Sequence, residues 1–98
     1  MFEDFIITDH IIKRYLERNP GSKKKEVRNR IKKDLHFTKV RKIVNNGNIR
    51  HVFTFHSKEF IFVQDGKKWV LRTVIKRTRN EVDRAINKRL VHAIWEEI

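Results

Sequence analysis

The second half of the chain constrains the fold most, because short runs of β-branched and aromatic residues alternate there with strong turn signals. The Asn46-Gly47 and Asp65-Gly66 steps favour the positive backbone φ angles that tight hairpins require. Between and around these turns, the pattern predicts four strands, at residues 38–44, 49–56, 59–64 and 68–76. Strands joined by hairpins run antiparallel, so the sequence predicts a four-stranded antiparallel meander.

The remaining segments have apolar residues at helical spacing. Residues 9–19 carry an apolar stripe behind the potential N-cap Thr8, and the Asn-Pro-Gly break at 19–21 ends that helix. Ser22 is the expected cap of a second helix to about residue 36, and a third helix is predicted at about 79–97. Residues 5–7 form an apolar run that suggests a first strand but is too short to assign firmly. The order predicts one α+β domain over residues 1–98, with two N-terminal helices, the meander and a C-terminal helix, all helices covering one face of the sheet.

The charge balance indicates the class of partner. Twenty-four Lys and Arg against 12 Asp and Glu give a net charge of +12 in 98 residues, which predicts binding to a polyanion. RNA is the leading candidate and DNA is possible, while membrane surfaces and an acidic protein are the rivals. With no cysteine there is no disulfide or thiolate metal site, and we expect neither metal nor cofactor. The absence of a signal peptide or long apolar stretch predicts a cytoplasmic protein without membrane association.

The aromatic residues of the predicted strands allow two interpretations. Core packing is expected for most of them, since a domain of this size has few other large apolar residues. An exposed sheet face with aromatic rings would instead suit base stacking, as in proteins that bind single strands. The residues concerned are Phe53, Phe55, Phe60, Phe62 and Trp69.

Two short motifs carry a resemblance. Residues 8–18 read Thr-Asp-His-Ile-Ile-Lys-Arg-Tyr-Leu-Glu-Arg, and residues 71–75 read Leu-Arg-Thr-Val-Ile, with a hydroxyl residue among β-branched ones. Together with the order of elements, they resemble the metal-independent ribonuclease superfamily of barnase, EndoU, the colicin nucleases and RelE-like toxins. The resemblance extends over most of the chain. It implies a phage-type or toxin-type endoribonuclease, for which an antitoxin is a possible partner.

The chemistry of RNA cleavage gives an independent reason to consider the first helix. Without a metal, a base must take the 2′-hydroxyl proton, an acid must protonate the leaving 5′-oxygen, and cations must stabilise the phosphorane. His10, Arg14 and Arg18 follow one another at four-residue spacing along one side of the helix, so they can supply the base and the cations. Thr73 is predicted either to bind the scissile phosphate through its hydroxyl or to be a core threonine.

These four residues form the predicted catalytic set. No motif identifies the second acid or base, for which the candidates are Glu17, His51, His56 and Glu59. Further contacts to nucleic acid are predicted for six cations: Lys13, Arg41, Arg50, Arg72, Lys76 and Arg77. Regular alternation along the last strand would put Arg72 on the face opposite Thr73.

Two other functions fit the same sequence. The chain is alternatively a non-enzymatic, phage-type regulator that binds nucleic acid, with cations that hold phosphates but no converging acid and base. It is also consistent with an inhibitor of an acidic or nucleic-acid-handling host protein, for which an apolar patch rimmed by charge is the expected feature. Trp95 and Ile98 are the candidates for such a patch.

Overall fold

The computed structural model describes residues 5–97, with side chains described as far as Val91. The predicted patch at Trp95 and Ile98 lies outside these described side chains. The elements in chain order are β1 (Phe5–Ile7), α1 (Asp9–Arg18), α2 (Lys24–Asp34), β2 (Val40–Asn46), β3 (Ile49–Thr54), β4 (Lys58–Asp65), β5 (Lys68–Lys76) and α3 (Arg79–Glu97).

The five strands form one mixed sheet in the order β1-β5-β4-β3-β2. Strands β2 to β5 are the predicted antiparallel meander. Gly47 in the β2–β3 turn and Gly66 in the β4–β5 turn each have a φ of +63°. The α+β class is therefore confirmed, but the purely antiparallel, four-stranded sheet is wrong. β1 pairs with β5 in parallel, with Phe5 opposite Trp69. Three residues suffice for this strand because Phe5 and Ile7 are both buried.

The helices cover both faces of the sheet, not one as the sequence predicted. Neighbouring residues of a strand point to opposite faces, and Val52 and Phe53 are both fully buried, so each face needs its own cover. Val52 lies in a core formed with Ile11 of α1 and Ile31 of α2. Phe53 lies in a second core with residues of α3, among them Val82.

A β-bulge interrupts β5. Ile61 of β4 pairs with Thr73, but the next residue, Phe62, pairs with Leu71, so Arg72 is an extra residue in β5. As a result Leu71 and Val74, three residues apart, both pack on the core beneath α1 and α2. The regular alternation predicted for this strand therefore fails after Leu71.

The ends of α1 and α2 follow from local hydrogen bonds. Thr8 caps α1 as predicted, and its Oγ1 accepts a hydrogen bond from the amide of Ile11 at 3.4 Å. α2 is capped at Lys23 and not at Ser22, with the Lys23 amide donating to Oε2 of Glu26 at 3.4 Å. Among the helices of residues 5–97, none has the length and apolar character needed to cross a membrane.

Candidate functional site

A cavity of about 200 Å³ opens between α1 and the second half of β5, and we call it the α1–β5 cleft. The exposed side of α1 forms one wall and β5 the other, while α2 and the start of β4 each contribute one cation. The residues lining the cleft are His10, Ile11, Arg14, Tyr15, Arg18, Asn19, Arg30, Lys58, Arg72, Thr73, Val74 and Lys76.

All four residues of the predicted catalytic set line this cleft. His10, Arg14 and Arg18 come from successive turns of α1, where four-residue spacing puts them on one side of the helix. Thr73 reaches the cleft from β5 on the opposite wall. The fold thus brings together two motifs that are distant in the sequence.

The bulge in β5 gives the cleft two neighbouring polar side chains from one strand. Thr73 is exposed to solvent, so its interpretation as a core threonine is wrong. The prediction that Arg72 lies on the opposite face from Thr73 is also wrong, because both residues line the cleft. In a regular strand successive side chains diverge, whereas the extra residue of a bulge re-aims its neighbours.

Tyr15 is a cleft residue that the sequence analysis missed. Its place in the apolar stripe of α1 suggested only packing, and it does contact the core from a half-buried position. Burial is the main cause that raises the pKa of the Tyr15 phenol above its ordinary value of 10.0, and the negative charge of Asp34 adds to the rise. Arg18 and Arg30 oppose the shift with smaller effects. The hydroxyl is therefore protonated at neutral pH and can donate a proton.

The cleft is strongly cationic. Among its described lining residues there is no Asp or Glu. One lining cation, Lys58, forms an ion pair with the carboxylate of Asp34 at 3.1 Å. Within the described part of the chain, no ion pair involves any of the other five Lys and Arg side chains of the cleft. These five are Arg14, Arg18, Arg30, Arg72 and Lys76. Guanidinium groups in such an arrangement bind the oxygens of a phosphate through paired hydrogen bonds.

Of the six cations predicted to contact nucleic acid, only Arg72 and Lys76 line the cleft. Lys13 is exposed on α1 but is not a lining residue. Arg41 forms an ion pair with Asp83 of α3. The guanidinium of Arg50 lies 4.2 Å from the centre of the Trp69 ring and donates to Oδ1 of Asn45 at 2.8 Å. Arg77 is engaged with Glu59.

Glu59 is the centre of a buried ionic cluster on the face that α3 covers. Its side chain is fully buried; Oε2 lies 2.8 Å from Nδ1 of His51, and Oε1 accepts hydrogen bonds from Arg77 at 2.8 and 3.0 Å. Nε of Arg89 lies 3.5 Å from Oε2. Burial by itself raises the pKa of Glu59. The hydrogen bonds with His51 and Arg77, together with the positive charges of Arg89 and Arg77, outweigh burial, so the pKa lies below its ordinary value.

This cluster occupies Glu59 and His51, two of the four candidates for the second acid or base. Glu59 and His51 bind each other away from the cleft, and neither is a lining residue. Glu17 and His56 are exposed and do not line it either. In the described part of the chain, the imidazole of His10 and the hydroxyl of Tyr15 are the groups of the cleft that we consider as base and acid.

No family model, curated protein or solved structure matches this chain. The functional inference therefore depends on the chemistry of the cleft.

Proposed function

We propose that this protein is a metal-independent endoribonuclease of the RelE or toxin type, with the α1–β5 cleft as its active site. The observation that supports the proposal is the convergence of His10, Arg14, Arg18 and Thr73 on one cationic cleft. These residues come from two motifs that are distant in the sequence, and each motif carries side chains suited to RNA cleavage. Their convergence is what an active site requires and what a merely solvated basic surface does not.

In the proposed reaction, the RNA phosphate binds among the guanidinium groups, and the 2′-hydroxyl next to it attacks phosphorus. His10 accepts the proton of the 2′-hydroxyl as the new P–O bond forms. The P–O5′ bond breaks, and the Tyr15 hydroxyl donates its proton to the leaving 5′-oxygen. The products are a 2′,3′-cyclic phosphate and a free 5′-hydroxyl. Proton exchange with water then returns imidazolium and tyrosinate to their starting states.

The cations and the hydroxyl of the cleft stabilise the intermediate charge of this reaction. The phosphorane carries more negative charge than the bound phosphodiester, so donors fixed around it stabilise the transition state more than the ground state. Arg14 and Arg72 approach the phosphate from opposite walls of the cleft. Thr73 donates from its hydroxyl to a non-bridging oxygen.

The decisive experiment is incubation of the purified protein with labelled RNA and DNA in EDTA. We expect wild type to cut RNA and not DNA, since DNA lacks the 2′-hydroxyl. His10→Ala and Arg14→Ala should each reduce the rate by about 10²-fold or more, in line with the usual contribution of a proton-transfer group or charge stabiliser. Lys13→Ala is the matched control, because it removes a cation from the same helix that does not line the cleft.

Each negative outcome has a separate meaning. Binding of RNA without cleavage contradicts the enzymatic proposal and supports the non-enzymatic regulator, which the abundance of cations in the cleft also fits. If His10→Ala cleaves RNA at the wild-type rate, His10 is not the base and the proposed active site is wrong. The proposal that the protein is an endoribonuclease is not contradicted by that result. Cleavage of DNA as fast as RNA rules out attack by the 2′-hydroxyl.

A further inference from the structure

Two phenylalanines are strongly exposed to solvent. Phe37 is 79% exposed and Phe55 is 64% exposed, whereas Phe53, Phe60 and Phe62 are fully buried or nearly so. The expectation of core packing is therefore wrong for Phe55. Exposing two large aromatic rings is unfavourable unless a ligand covers them.

Backbone hydrogen bonds bring the two exposed residues to the same place. Phe37 lies inside a turn in which the amide of Lys39 donates to the carbonyl of His36 at 2.8 Å. The carbonyl of Lys39 accepts from the amide of Phe55 at 2.9 Å, so the end of β3 is attached to this turn. We call the side chains of His36, Phe37 and Phe55 the aromatic platform.

The His36 and Phe37 rings of the platform contact each other before any ligand binds. The ring centres of His36 and Phe37 lie 4.5 Å apart with a tilt of 34°. Nδ1 of His36 lies 2.8 Å from the hydroxyl oxygen of Thr38 and accepts a hydrogen bond from the Thr38 amide at 3.4 Å. Because these contacts fix the His36 ring, a ligand that stacks beside it loses less conformational freedom of the protein on binding.

An ion pair connects the platform to the α1–β5 cleft. Lys58, three residues after Phe55, lines the cleft and binds Asp34 at 3.1 Å. Asp34 in turn lies three residues before Phe37 at the end of α2. The Lys58–Asp34 pair thus links the two segments that carry the platform to one edge of the cleft.

We propose that the aromatic platform stacks unpaired bases of the RNA strand whose phosphate occupies the α1–β5 cleft, so that the substrate is single-stranded. This inference rests on the proposed nucleic-acid function of the cleft. Bases of an A-form duplex are stacked on one another and offer no free face, whereas bases of a single strand stack readily on aromatic side chains. The net charge of +12, together with Lys39 in the turn that carries Phe37, favours a polyanion over a neutral or basic protein segment.

The test uses a 2′-O-methyl RNA of about ten nucleotides, which lacks the attacking hydroxyl and spans one typical single-strand site. Its dissociation constant is measured by fluorescence anisotropy, alone and annealed to its complement. We expect Phe37→Ala and Phe55→Ala each to weaken single-strand binding by about 5- to 100-fold, the usual contribution of one stacked base. Duplex binding should change less than about twofold, the ordinary range for a surface substitution away from the contact.

Three matched variants separate stacking from other effects. Phe37→Trp should retain single-strand affinity, while Phe37→Leu, which keeps apolar area without a π face, should lose it. Val91→Ala removes another exposed apolar side chain, on α3, and should leave affinity unchanged. The fluorescence of a 2-aminopurine base in the strand should be quenched when wild type binds, and it should be quenched less when Phe37→Ala binds.

The inference is overturned if Phe37→Ala and Phe55→Ala bind the single strand as wild type does, or if Phe37→Leu binds as tightly as Phe37→Trp. The second result would point to a docking site for an apolar protein segment. Failure of the enzymatic proposal is seen separately, as intact RNA in EDTA, and does not affect the anisotropy measurements. A platform that binds single strands in a protein that does not cut RNA would support this inference and contradict the proposed reaction.

Discussion

Replacement of Glu59 by Gln tests how much the buried ionic cluster stabilises the fold. The carboxylate is fully buried and contacts three basic side chains, those of His51, Arg77 and Arg89. Removing one partner of a buried ion pair costs about 3–5 kcal/mol, because the opposite charge stays behind. The Arg77 and Arg89 side chains are 21% and 26% exposed, so water can reach them and the loss falls at the lower end, about 3 kcal/mol.

The expected loss is large enough to measure by thermal and urea denaturation. For a domain of about 100 residues, 1 kcal/mol corresponds to about 4–8 °C, so Glu59→Gln should lower Tm by about 12–24 °C. Asp83→Asn is the matched control, since it removes a carboxylate from the exposed Arg41–Asp83 pair and should cost under about 1 kcal/mol.

The pH dependence of this difference gives a second test. The folded-state pKa of Glu59 is depressed, so its ionised form contributes stability that is fully present above the ordinary value of 4.5. That stability is lost as the pH falls through the folded-state pKa. The gap between wild type and Glu59→Gln should therefore be constant near neutrality and shrink in acid. A loss below about 1 kcal/mol, or a gap that persists unchanged through the acid range, would refute this account of the cluster.

Three further predictions concern the cleft. Tyr15→Phe should leave the dissociation constant for uncleavable RNA unchanged and slow cleavage by about 10²-fold or more, as measured by single-turnover kinetics; an unchanged rate would exclude Tyr15 as the acid. Arg30→Ala should reduce the slope of log affinity against log salt by about 1 for RNA binding, and an unchanged slope would place the phosphates elsewhere. Deletion of Arg72 should restore regular pairing of β5 with β4, and circular dichroism should show that the protein stays folded. RNA binding should nevertheless weaken by about tenfold. Wild-type affinity would show that the bulge does not contribute to RNA binding in the cleft.

The meander and its turns could be predicted because their signals are local. A glycine with positive φ after Asn or Asp sets two of the three hairpins, and the β-branched and aromatic runs on either side supply the strands. The β3–β4 hairpin instead places Ser57 at a positive φ of 59°. The His10, Arg14 and Arg18 side of α1 was equally readable, since helical spacing alone puts these residues in line. Local rules of conformation therefore account for the elements and for one wall of the cleft.

Other features depend on contacts that no local pattern encodes. β1 is a strand because three residues find a parallel partner in β5, and its short sequence gives no sign of that pairing. The bulge at Arg72 arises from the match between β4 and β5 and reverses the expected faces of Thr73 and Val74. The proposed role of Tyr15 as the acid depends on its neighbours in space, because an apolar stripe indicates burial and not what lies beside it.

The sequence by itself determined the charge, the order of the helices and of strands β2 to β5, and the chemistry that His10, Arg14 and Arg18 offer to a phosphate. The tertiary structure decided which cations share a cleft, which are paired elsewhere, and which aromatic rings stay exposed. The physical reason is the range of the interactions involved. Backbone conformation and periodicity act over a few residues, whereas a cleft is formed by side chains from α1, α2, β4 and β5 that only packing brings together.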